Sequence, residues 1–202
     1  MKLFTRVLCA ALLLLSAQSY AATYGFNVIT NNGSYGTSFE SMLEVDINSV
    51  GGNVAFTFRN LNADFQPYIN GVYFDDNASV LSNYVSFPSS GDVVYQTKTT
   101  NLPAGNTIGF DADWSFVADP PPTQNGINGG EEGTFVFSLL GGASFDDLIA
   151  AIGTGDLRLG IHVQGFRDGS SESYVNEVPE PSTYLLLAMG IIGLMAYRKK
   201  AA

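Results

Sequence analysis

The sequence predicts an all-β body, an antiparallel β-sandwich that admits a jelly-roll arrangement, with one short helix and a single C-terminal transmembrane helix after it. Apolar and polar residues alternate through several short runs, glycine and asparagine turns separate those runs, and only one stretch is spaced as a helix. Such a pattern buries one face of each strand.

The elements follow in chain order. Tyr24 to Ile29 is the first strand and Asn31-Asn32-Gly33 its turn. Leu43, Val45 and Ile47 alternate with Glu44 and Asp46; after Gly51-Gly52-Asn53, Val54, Phe56 and Phe58 alternate with Ala55 and Thr57. Ile69 to Phe74, Val93 to Thr97, Thr107 to Phe110 and Trp114 to Val117 are further strand candidates. Phe135, Phe137 and Leu139 form another, as do Leu157, Leu159, Ile161 and Val163. Between these two lies the helix, Phe145 to Ile152, with Ser144 as N-cap, Asp147 three residues on and Gly153 past its end. Asp119 to Gly133 is the one long loop; it is expected to be extended at Pro120-Pro121-Pro122 and mobile from Gly126 onward.

Three parts are expected: a signal peptide over 1–21, the β-sandwich domain over 22–177 and a sorting signal over 178–202. Lys2 and Arg6 give the leader its positive end, Val7 to Leu15 its apolar stretch, and Ser19-Tyr20-Ala21 the small residues that signal peptidase requires, placing cleavage after Ala21. Cys9 leaves with the leader, so the mature chain has no disulfide, thiolate metal site or cysteine nucleophile. From residue 23 to 177 eighteen acidic side chains face four basic ones (Arg59, Lys98, Arg158, Arg167), a net charge of −14. A surface of that sign repels phosphate backbones, so nucleic acid is not an expected partner.

The C-terminus has three pieces in fixed order: Val178-Pro179-Glu180-Pro181-Ser182, an apolar run from Tyr184 to Tyr197, and the stop Arg198-Lys199-Lys200. The run of 14 residues spans about 21 Å as a helix against about 30 Å of hydrocarbon, and flanking tyrosines and snorkelling cations let it cross with some thinning. The prolines keep the motif extended and accessible outside the membrane. These pieces resemble the PEP-CTERM sorting domain of Gram-negative bacteria. The resemblance implies that a membrane-embedded exosortase recognises Pro179-Glu180-Pro181, removes the tail and passes the body to the cell surface or extracellular matrix. The body itself is similar to exosortase-dependent surface proteins with an Asp-Asp motif, through Asn70-Gly71-Val72-Tyr73-Phe74-Asp75-Asp76, Trp114-Ser115-Phe116, Asn125-Gly126-Ile127 and Leu159 to Phe166. That group implies no catalytic residues.

Candidates for chemistry are few. His162 is the only histidine and alternates onto the polar face with Arg158, Gly160 and Gln164; no Gly-x-Ser-x-Gly or His-Glu-x-x-His pattern accompanies it, so it is read as a structural or ligand-contacting residue. Asp75, Asp76, Asp111 and Asp113 are candidate calcium ligands in an irregular loop site. An EF-hand is excluded because position six of the 111 run lacks glycine and Pro122 stands where the bidentate Glu belongs. Trp114, with Tyr68, Tyr73 and Tyr95 as further platforms, can offer a face to a sugar ring, whereas its alternation with Phe116 favours a core role. The expected function is therefore non-enzymatic: a structural or adhesive component of the exopolysaccharide layer, with extracellular polysaccharide, exosortase, signal peptidase and transiently the membrane as partners. The alternative is a carbohydrate-binding module, with or without calcium; beyond calcium no cofactor is expected.

Overall fold

The computed structural model of the protein describes residues 21–88 and 91–178. Ten strands account for its core: β1 (Ala21–Val28), β2 (Leu43–Val50), β3 (Asn53–Asn60), β4 (Tyr68–Asp76), β5 (Leu81–Ser86), β6 (Tyr95–Lys98), β7 (Trp114–Ala118), β8 (Glu132–Leu139), β9 (Leu157–Gln164) and β10 (Ser171–Asn176). They form one antiparallel sheet in the order β5-β8-β3-β2-β1-β10-β9-β4-β7-β6. The expected all-antiparallel class holds, but the two-sheet sandwich becomes a single curled sheet.

The curl originates in β1. Ala21 to Gly25 pair with β2, whereas Phe26 to Val28 pair with β10, so the strand changes partner halfway and joins the two halves of the sheet. Those halves face each other across an aromatic core. Phe74 of β4 meets Phe56 of β3 at 5.1 Å and Phe137 of β8 at 4.6 Å between ring centroids, and Phe116 of β7 meets Phe135 of β8 at 5.0 Å. Mostly edge-on and tilted pairs of this kind add to the burial of their area. The outer face of the β1-β2-β3-β8 half is polar, with Arg59 bridging Glu44, Asp46 and Glu132.

Ser144 accepts from the Asp147 amide and Asp147 returns a bond to the Ser144 amide, closing the expected capping box. The helix runs from Phe145 to Thr154 and ends at Gly155 (φ 78°), two residues beyond the Gly153 stop expected. Thr107 to Phe110 is not a strand. Ala104 and Gly109, both left-handed, bracket a 3-10 turn from Gly105 to Ile108 that drops Leu102 and Phe110 onto Gly160 of β9, where a Cβ would sit 2.9 Å from Leu102. The proline segment also departs from expectation: Pro120-Pro121 is cis and Pro122 starts a helical turn to Asn125. The following loop is pinned rather than mobile, because Ile127 is fully buried and exchanges both backbone bonds with Ile69. Among the described residues no helix is long and apolar enough to cross a membrane, and the expected transmembrane helix, Tyr184 to Tyr197, lies outside them.

Candidate functional site

The strand ends define two ends of the curled sheet. One gathers the start of β1, the β2–β3 turn, the ends of β4, β8 and β10 and the start of β9, tied together by Leu140 N–H to Val80 O, Ala78 N–H to Asp156 O and Leu81 N–H to Asp76. The opposite end is built from the β1–β2 connection, the 61–67 loop and the β9–β10 turn, and it holds an open groove of about 700 Å³.

Each side chain of that groove has a local cause. Tyr35 precedes a short helical turn, Gly36–Phe39, and its carbonyl accepts from Ser38 Oγ and the Phe39 amide. Phe166 lies 5 % exposed on the floor, stacked parallel to Tyr35 at 6.3 Å and edge-on to Phe39 at 5.3 Å. The 62–67 loop is shaped by asparagines: Asn62 Nδ2 donates to the Asp64 and Gln66 carbonyls, while buried Asn60 donates to Pro67 O and accepts from the Asn62 amide. Gly129 lies beneath it, where any Cβ would stand 1.8 Å from Asp64 O. This leaves Phe65 on the rim, 56 % exposed, and Tyr35 41 % exposed. Asn62, Gln66, Arg167 and Asp64 supply polar groups around them; Arg167 and Asp64 are 3.8 Å apart and well exposed, a pair that contributes little to stability.

The sequence-derived candidates lie elsewhere. Asp75 is almost fully buried and accepts from Arg158 Nε at 3.0 Å and from Nη2, from Asn77 Nδ2 and from the Asp111 amide. Asp76 accepts from the amides of Val80 and Leu81, and Asp113 from the amide of Asp76. Burial raises Asp76 above the usual carboxylate range, against the two amides that hold it ionised. Three of the four candidate calcium ligands, Asp75, Asp76 and Asp113, thus already serve internal donors, and with Asp111 they make no metal cluster: among the described residues no three His, Cys, Asp or Glu side chains are arranged to hold an ion. Millimolar calcium is accordingly expected to leave the thermal midpoint unchanged, and a rise in the midpoint contradicts this reading.

Trp114 packs edge-on against Phe137 at 5.4 Å and is half-buried, a core role rather than a platform. Tyr68, Tyr73 and Tyr95 are all buried, correcting their reading as exposed platforms; Tyr95 Oη donates to Ile69 O at 2.6 Å. His162 faces Gly71 and Ser173 across its neighbouring strands and is 9 % exposed. Burial lowers its pKa from 6.5 to about 4, opposed by the charge of Glu172. The unfolded chain therefore binds a proton that the folded one refuses between pH 6.5 and about 4. Stability is complete above that window and falls by about 3 kcal/mol as pH drops through it. Urea melts of the protein and of His162→Gln check this: the variant lacks the His162 share of the loss.

β10 runs out at Asn176, and Glu177 makes a last backbone bond to Gly25 O at 2.9 Å, beside Glu44 at the start of β2 and Thr37 and Glu40 of the β1–β2 connection. The next residue, Val178, lies 44 % exposed. From this junction onward residues 177–200 match the family model described as the PEP-CTERM protein-sorting motif. The chain carries a PEP-CTERM sorting signal. The PEP-CTERM signal makes this an exosortase-sorted extracellular protein, exported to the cell envelope or surface. No curated protein and no solved structure matches the chain.

Of the PEP-CTERM residues expected from sequence, Val178 is described, at the edge of the folded body; Pro179, Glu180, Pro181, Ser182, Arg198, Lys199 and Lys200 lie outside the described residues. The groove was not legible in the sequence. Its aromatics come from three segments more than a hundred residues apart at the extremes, and the only local cue is that Tyr35 and Phe65 sit among turn-forming Asn, Asp, Ser and Gly rather than in an alternating run.

Proposed function

We propose that this PEP-CTERM protein is a non-enzymatic, adhesive component of the extracellular polysaccharide layer, and that it holds polysaccharide in the groove between the β1–β2 connection, the 61–67 loop and the β9–β10 turn. The observation that carries this reading is the groove itself: aromatic rings at Tyr35, Phe65 and Phe166 beside the amides of Asn62 and Gln66. Aromatic rings offer an apolar platform to the C–H face of a sugar, and amides and charged groups around them satisfy its hydroxyls. A non-enzymatic role is favoured by the single carboxylate in the lining, Asp64, since glycoside hydrolysis uses a facing pair.

Binding of isolated matrix polysaccharide to the purified protein tests the reading. Phe65→Ala and Tyr35→Ala are each expected to weaken it by about tenfold, equivalent to about 1.4 kcal/mol. Both side chains are exposed, so the thermal midpoint should not move with them. Failure of the unaltered protein to bind, or full binding by both variants, contradicts the proposal. The groove also favours a second reading, a discrete carbohydrate-binding module. A glycan array separates the two, because a module gives one saturable, sugar-specific signal whereas an adhesive component binds related polymers broadly.

A further inference from the structure

We propose that the polymer held in the groove carries free amines: a cationic amino-sugar polysaccharide whose ammonium groups pair with Asp64 beside the Phe65 and Tyr35 rings. The inference rests on the reading of the groove as a polysaccharide site and adds the charge of its occupant. The lining offers one anion and one cation, Asp64 on the 61–67 loop and Arg167 on the β9–β10 turn. They hold each other weakly. The two stand 3.8 Å apart with side chains 74 % and 84 % exposed, and at that separation and exposure an ion pair contributes little. A ligand that takes either partner therefore displaces almost nothing.

Which partner a ligand takes is decided by the charges behind the lining. Glu40 follows Phe39 in the chain, Asp168 follows Arg167, and Glu172 lies under the Gly36–Phe39 turn, its Cγ 3.3 Å from the position of a Gly36 Cβ. All three serve internal donors: Glu40 the Val28 amide, Asp168 the Ser34 and Ser170 amides, and Glu172 the amides of Asn32 and Gly33. They are spent as direct ligands but add negative potential around the groove. The other cations of the body do not offset it, because Arg59 serves Glu44, Asp46 and Glu132, Arg158 serves Asp75, and Lys98 stands on the edge strand β6. With a net charge of −14 from residue 23 to 177, the field attracts cations and repels uronates. The rings act in the same direction, since an aromatic face attracts an ammonium, and Phe65 is the chain neighbour of Asp64. A neutral sugar gains from the rings alone; an ammonium sugar gains from the rings and from Asp64.

The test compares binding of short soluble glucosamine oligomers to the purified full chain with that of N-acetylglucosamine oligomers of the same linkage, and adds oligogalacturonate as the anionic probe. The amine form is expected to bind about tenfold more tightly than the acetylated form, and oligogalacturonate more weakly than either. Asp64→Asn should remove most of the preference, and Arg167→Gln should strengthen amine binding by about threefold, because the competing partner is gone. Both side chains are well exposed, so neither variant should move the thermal midpoint. Raising the salt from about 0.05 M to about 0.5 M should shrink the preference. Equal or tighter binding of the acetylated or anionic oligomer overturns the inference and leaves the groove reading in place so long as Phe65→Ala and Tyr35→Ala still weaken binding. A preference that survives Asp64→Asn in full belongs to the general charge of the body and also overturns it. Binding that neither aromatic variant weakens overturns the groove reading and this inference together.

Discussion

Phe74→Ala is expected to lower the unfolding free energy by about 3–5 kcal/mol, a third or more of the total for a typical domain. Phe74 is fully buried on β4 and its ring touches those of Phe56, Phe58, Phe116, Phe135 and Phe137, the five side chains that hold the two halves of the curled sheet together. Truncation removes the transfer energy of the ring and opens a cavity that rings held on β3, β7 and β8 cannot all collapse into. The midpoint should fall by about 10 °C. Phe74→Leu retains part of the volume and should cost distinctly less, and a small loss for alanine would mean that the halves are not joined through this ring.

A loss of about 2–3 kcal/mol is expected for Glu172→Ala on the central strand β10. The Glu172 carboxylate is 1 % exposed and accepts from the amides of Asn32 at 2.9 Å and Gly33 at 2.7 Å and from the Thr30 hydroxyl. Alanine removes the acceptor of all three donors; Thr30 and Gly33 are half-buried and Asn32 is exposed, so water reaches part of the set and the cost stays below that of three buried orphans, each about 1–3 kcal/mol. Glu172→Gln keeps one acceptor oxygen and should lose less. Because the 30–33 segment leads into Tyr35, the alanine variant should also weaken polysaccharide binding, which a stability measurement and a binding measurement on the same sample will show together.

Alternation in the sequence was enough to locate most strands, because each one buries an unbroken row such as Leu157, Leu159, Ile161 and Val163. β10 escaped that reading although it lies in the middle of the sheet. Its buried face includes Glu172 and Asn176, polar residues neutralised by donors more than a hundred residues away or by the Leu159 amide, so no apolar row marks it. β5 was missed for the opposite reason: it is an edge strand, mostly exposed, and its Ser82 and Asn83 need no apolar pattern. Trp114 packs inward in step with Phe116, two residues on, whereas Tyr68, Tyr73 and Tyr95 look amphipathic in sequence and are covered by segments distant in the chain, Tyr73 by Leu102 and Phe110 of the loop between β6 and β7. The paired acids at Asp75 and Asp76 suggested a metal because carboxylates are visible in sequence and their partners, Arg158 and the Val80 and Leu81 amides, are not.

The sorting signal begins where β10 leaves the sheet, and exosortase processing of that signal is the central step of the account. Intact mass of the protein recovered from the cell surface, compared with that from cells lacking exosortase, tests this most directly. The expected surface species lacks both the leader and the apolar run from Tyr184 to Tyr197, while cells without exosortase retain the full C-terminus and deliver little to the surface. A surface species that still ends in Arg198-Lys199-Lys200 and the last two alanines, delivered equally well without exosortase, would contradict the account.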